Sequence, residues 1–150
     1  MKKKSHYTLI LLFIKDNYIS NIIMRNIPVS NGEIIDKFTI LLIKQELIKD
    51  EDKLKKVNHE IDQLKEHVNE IKKNNMIEFD IKKLFEINKE LWEIEDNIRI
   101  KEKNKEFDAP FIELARAVYV TNDQRAFMKN EINKKTNSTI FEVKSYEKYD

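Results

Sequence analysis

Only four of the 28 basic residues in this 150-residue chain are arginine, at positions 25, 99, 116 and 125. Lysine serves equally well as a solvated charge, but only arginine offers a planar, two-pronged donor. Three of the four fall between 99 and 125, each with acidic company within helical reach. Glu95 and Asp96 sit one turn before Arg99, Glu113 precedes Arg116 by three, and Asp123 lies just before Arg125. A second polar group is Glu33, Asp36 and Lys37, in which the two carboxylates share a face at i, i+3 spacing. Arginine clusters recognise carboxylate and phosphate. The chemistry implied is a pocket for a small anion of the phosphosugar or nucleotide class. Lys37, Arg99, Arg116 and Arg125 would grip it, and Glu33, Asp36, Glu95 and Asp96 would orient those cations or exchange protons. The same spacings also suit interhelix ion pairs, so the alternative is a non-enzymatic helical interaction or oligomerisation module.

Much other chemistry is excluded by composition. One glycine rules out phosphate-binding glycine loops, the dinucleotide fingerprint and the nucleophile elbow. The absence of cysteine removes disulfides, thiolate metal sites and a thiol nucleophile, and fits a reducing, cytoplasmic setting. His59-Glu60 does not start a zinc-protease motif, because position 63 is glutamine. Mg²⁺ is the one cofactor the residues suggest, since Glu33/Asp36 and Glu93/Asp96 are paired carboxylates at i, i+3 spacing. The lysine doublets at 55–56, 72–73 and 134–135 have acidic neighbours and no interleaved aromatics, which argues against nucleic acid. With 37% charged residues and a net charge of +1, no overall field favours a polyanionic partner.

The elements that must position these residues are helices. Three glycines and prolines in all leave few turns. Ser30-Asn31-Gly32-Glu33 reads as a capping box opening a helix over about 31–49. Asp50-Glu51-Asp52 opens a second, whose Leu54, Val57, Ile61, Leu64, Val68 and Ile71 step as a heptad seam of coiled-coil type. After a turn at Asn74-Asn75, a third helix over about 78–105 repeats the step through Ile77, Ile81, Leu84, Asn88, Leu91, Glu95 and Ile98. Asn88 and Glu95 occupy seam positions where apolar residues belong, and Trp92 flanks them. Asp108-Ala109-Pro110 caps a fourth helix, and Thr121-Asn122-Asp123 reads as a break before a fifth stretch over about 124–135. The expected fold is an all-α antiparallel bundle with a long central hairpin of helices two and three and an extended tail draped over it. The hairpin seam offers a surface for a homo-oligomer.

Residues 1–23 stand apart. Lys2-Lys3-Lys4 precedes an apolar run over 7–14 that Lys15-Asp16 stops, too short to span a bilayer. They read as an N-terminal extension, with Met24 a second candidate start and 24–150 a single helical domain.

Several stretches carry a resemblance. They are Pro28-Val29-Ser30-x-Gly32-Glu33-x-x-Asp36-Lys37, then Leu91-Trp92-x-x-Glu95-Asp96-x-Ile98-Arg99, then Leu114-Ala115-Arg116-x-Val118-Tyr119-x-Thr121-Asn122-Asp123-x-Arg125, and Lys144-Ser145-Tyr146 near the end. Together they resemble a bacterial domain-of-unknown-function family over about residues 27–149. The resemblance implies a cytosolic domain of this size and supplies no reaction. By resemblance, Asn122 joins the candidate ligand-binding residues, and Asp123 and Tyr146 join the orienting or acid–base group.

Overall fold

The computed structural model describes residues 25–73, 76–147 and 149; the N-terminal segment 1–23 and the Asn74-Asn75 turn lie outside them. Among the described residues there are four α-helices: α1 (Asn31–Leu47), α2 (Glu51–Lys73), α3 (Glu78–Asn104) and α4 (Ala109–Lys135). No described residue is in a strand. None of the helices is long and apolar enough to cross a membrane.

Local chemistry sets the ends. The Ser30 hydroxyl accepts from the Glu33 N–H at 3.1 Å and so begins α1. The other half of the expected capping box is not made, because the Glu33 carboxylate turns to Lys129, 2.7 Å away. The Asp50 carboxylate accepts from the Lys53 N–H at 2.9 Å ahead of α2. Asp108 does the same for α4, accepting from the Phe111 N–H at 3.1 Å, with proline in the first turn. Lys105 ends α3 in the left-handed region at φ 60°, its N–H returning to the Glu102 carbonyl.

The expected break at Thr121-Asn122-Asp123 does not occur; α4 runs through it without interruption. Such residues interrupt helices when their side chains compete for backbone groups. Here Thr121 is buried, Asn122 lines a cleft, and the Asp123 carboxylate is held by Lys144 and Tyr149, so the competition is removed.

Packing departs from the expected central hairpin. α2 and α3 are consecutive but do not pack along their lengths; α1 instead packs against α2, α3 and α4, and α3 packs against α4. The result is a three-helix core of α1, α3 and α4, with α2 laid on α1. The seam of α2 is thereby used within the chain: Val57, Val68 and Ile71 are buried. One core cluster joins Ile35, Val68, Ile71, Ile77, Leu84 and Ile132, from all four helices. It lies at the end where α1 and α3 begin and α2 and α4 finish. Burying each such side chain contributes about 1.5–3 kcal/mol before the entropy of ordering is counted.

α1 approaches α4 very closely at this end. A Cβ on Gly32 would lie 2.3 Å from the Lys129 carbonyl oxygen, so only glycine fits. The Gly32 N–H donates to Asn133 Oδ1 at 2.6 Å, tying the two backbones together. The tail then runs back along α4. Asn130 donates to the Glu142 carbonyl, and Lys144 donates to the Asn122 carbonyl, so residues 138–147 drape over the bundle.

Candidate functional site

Asp36 lies in the middle of α1 and is 1% exposed. An isolated carboxylate there would be strongly unfavourable, and three donors from two other helices compensate it. From α3, Asn88 Nδ2 donates to Asp36 Oδ1 at 2.9 Å and also to Thr39 Oγ1 at 2.9 Å. From α4, Arg125 donates through Nε to Oδ1 at 2.9 Å and through Nη2 to Oδ2 at 2.5 Å. The Thr39 hydroxyl donates to the Asp36 backbone carbonyl, completing the network. Asn88, out of place on an apolar seam, is explained by this carboxylate. Asp36 lifts the Arg125 guanidinium above its ordinary pKa against the opposing effect of burial.

Above this network lies a cleft of about 420 Å³ between α1, α3 and α4. Ile40 and Leu91 supply its apolar surface and Trp92 part of its wall. Asn88, Asn122 and Arg125 form the polar floor, and Glu95, Asp96 and Arg99 the rim. Arg99 Nη1 donates to Glu95 Oε2 at 2.6 Å and to the Glu95 carbonyl, which holds the rim arginine along α3.

Of the residues singled out from sequence, Arg99, Asn122, Arg125, Glu95 and Asp96 line this one cleft, with Asp36 directly beneath. Others go elsewhere. Lys37 is turned to the outer side of α1 and pairs with Glu60 of α2 at 2.9 Å, which lowers the Glu60 pKa. Arg116 is exposed on the outer surface of α4 and does not line the cleft. Glu33 parts from Asp36 and binds Lys129, which also pairs with Glu142 of the tail at 2.6 Å. Burial pulls the Lys129 pKa down, but its hydrogen bonds to Glu142 and Glu33 outweigh this and leave it raised.

Asp123 and Tyr146 face a second cleft of about 610 Å³ between α4 and the tail. There Lys144 bridges Asp123 and the Asn122 carbonyl, and Tyr149 donates to Asp123 at 2.9 Å. The paired carboxylates suggested for Mg²⁺ do not converge: Glu33 and Asp36 have separate cationic partners, and Glu93 is exposed. Among the described residues, no three His, Asp or Glu side chains are arranged to hold a metal ion.

Sequence reasoning missed Thr39 and Lys129, whose burial follows from tertiary packing alone. Trp92 had a signal, as the single tryptophan one turn after the misplaced Asn88.

No curated protein and no solved structure matches the chain. Residues 24–149 match a family of unknown function, DUF6165, so the chain belongs to that family.

Proposed function

We propose that the cleft over Asp36 binds a small polar molecule carrying an anionic group. The supporting observation is the meeting of Arg99 and Arg125, two of only four arginines, with Trp92, Asn88 and Asn122 in one cleft. A concave site with an aromatic wall and a few fixed polar groups is the usual form of a small-molecule site. Asp36 keeps Arg125 charged and fixed in place before any ligand arrives. Glu95 holds Arg99 in place at the rim.

Phosphosugars, nucleotides, small dicarboxylates and sugar acids are the classes to screen, each with and without Mg²⁺. A ligand that binds only the folded chain raises its melting temperature by mass action, about 1.4 kcal/mol at ten times its Kd. A hit that disappears in Arg125→Lys supports the reading. No shift with any of these classes would contradict it.

A second reading has its own observation. α3 and α4 extend well beyond α1, and their joined tip exposes Ile100, Phe107 and Ile112, with Phe107 set edge-on to Phe111. An interaction module would use this tip. Light scattering on the wild type and on Phe107→Ser decides it: a dimer that dissociates in the variant supports this reading, and a monomer at all concentrations opposes self-association through the tip.

A further inference from the structure

Hydrogen-bond inventory and charge balance narrow the occupant of the cleft, given the reading above. The Asp36 carboxylate, 1% exposed, takes the Nε and Nη2 edge of Arg125. Arg125 Nη1 has no partner among the described residues and is not sealed from solvent. Asn88 is engaged in the same way: its Nδ2 is divided between Asp36 and Thr39, and among the described residues its Oδ1 is left without a donor at the cleft surface. The floor therefore presents a fixed donor on Arg125 and a fixed acceptor on Asn88, both side chains bound to Asp36 Oδ1, beside the amide of Asn122. At the rim Arg99 is already matched by Glu95, and Asp96 has no ionic partner among the described residues.

Two guanidiniums thus stand against three carboxylates, counting the buried one. A polyphosphate, doubly charged and able only to accept, would meet a lining that is net negative and rich in acceptors. Asp96 is left to accept from a donor. A hydroxyl supplies both a donor and an acceptor, so adjacent hydroxyls match Asn88 Oδ1 and Arg125 Nη1 together. The C–H face of a sugar ring suits the indole of Trp92. Glu95 takes only the Nη1 of Arg99, so the rest of that exposed guanidinium is the cationic surface that meets a negative group.

We infer that the cleft takes a sugar carrying a single carboxylate. Its ring hydroxyls lie on Asn88 and Arg125, its apolar face on Trp92, and its carboxylate on Arg99. Nucleoside polyphosphates are disfavoured.

Trp92 is the sole tryptophan of the chain and reports on its own site. The experiment titrates the full chain with hexuronates (glucuronate, galacturonate and mannuronate), the matching methyl hexosides, glucose 6-phosphate and uridine diphosphate, following tryptophan emission and melting temperature. A saturable emission change with a hexuronate is expected, about tenfold weaker for its uncharged methyl hexoside, as loss of one charge-assisted contact implies. Arg99→Gln, at an exposed position, should abolish that tenfold preference, bringing the hexuronate down to the affinity of its methyl hexoside. If uridine diphosphate or glucose 6-phosphate saturates the signal and no hexuronate does, the sugar-acid inference is overturned while the cleft remains a binding site. If none of the probes moves either readout, both the inference and the reading beneath it fall.

Discussion

Two carboxylates are buried in this bundle, and their surroundings differ. Asp36 is 1% exposed and Asp80 is 4% exposed. Asp80 sits in the first turn of α3, where the helix dipole favours a negative charge. Its partner is Lys135 in the last turn of α4, whose Nζ donates to both oxygens at 2.7 and 2.8 Å while the side chain stays about half exposed. Asp36 lies in mid-helix with no such help, and it draws Arg125 and Asn88 from two other helices. The Asp80 pair serves as an end clamp between α3 and α4. The Asp36 network fixes three helices and leaves a donor and an acceptor at the floor of a cleft. Lysine is a point charge that one carboxylate can satisfy, whereas arginine has a second edge to present after the first is bound.

The comparison can be broken by removing either acid–base partner. Asp36→Ala should cost about 3–5 kcal/mol in urea unfolding, since it strands a partly buried guanidinium and a buried amide. A loss under 1 kcal/mol would show that the network is not structural. Gly32→Ala comes next, at about 1–3 kcal/mol, because the added methyl meets the Lys129 carbonyl oxygen and forces α1 away from α4. Lys135→Gln should cost only about 1–2 kcal/mol, because its ammonium is half solvated and the dipole of α3 continues to support Asp80. If Lys135→Gln proves as damaging as Asp36→Ala, the distinction between clamp and network fails.

A third carboxylate, exposed, supplies the smallest effect. Lys101 and the Phe111 N–H hold the Asp108 pKa below its ordinary value. Its contribution to stability is therefore fully present above the unfolded-state value of about 3.9 and is lost as pH falls through the lower folded-state value. NMR titration should find the Asp108 carboxyl below that reference; an ordinary value would mean the cap contributes no pH dependence.

The contrast between the two regions also explains what could be read from sequence. The helix starts at Ser30, Asp50 and Asp108 were legible because caps act within three or four residues. The stripe of α2 was legible because it is long and regular. That it packs on α1 and not on α3 was not, since a periodic seam does not name its partner. Asn88 was visible as an anomaly, and its cause was not, because Asp36 lies 52 positions away. Lys37 and Arg116 share composition and neighbourhood with Arg99 and Arg125 but face outward. Spacing places residues on a helix; the rotation of that helix in the bundle decides which of them meet. Nothing in the sequence sets Asp80 apart from the other acids, or Lys135 from the other lysine doublets, so their pairing was not legible.

The most direct test converts one arrangement into the other. Arg125→Lys gives Asp36 the partner type that Asp80 has, and removes the second edge. The measurement is the Trp92 emission titration with the best-binding hexuronate, on this variant and on Lys135→Gln. The account predicts that Arg125→Lys remains folded yet loses the response by at least about tenfold, while Lys135→Gln keeps the wild-type midpoint. An unchanged midpoint in Arg125→Lys, or an equal loss in both variants, would contradict it.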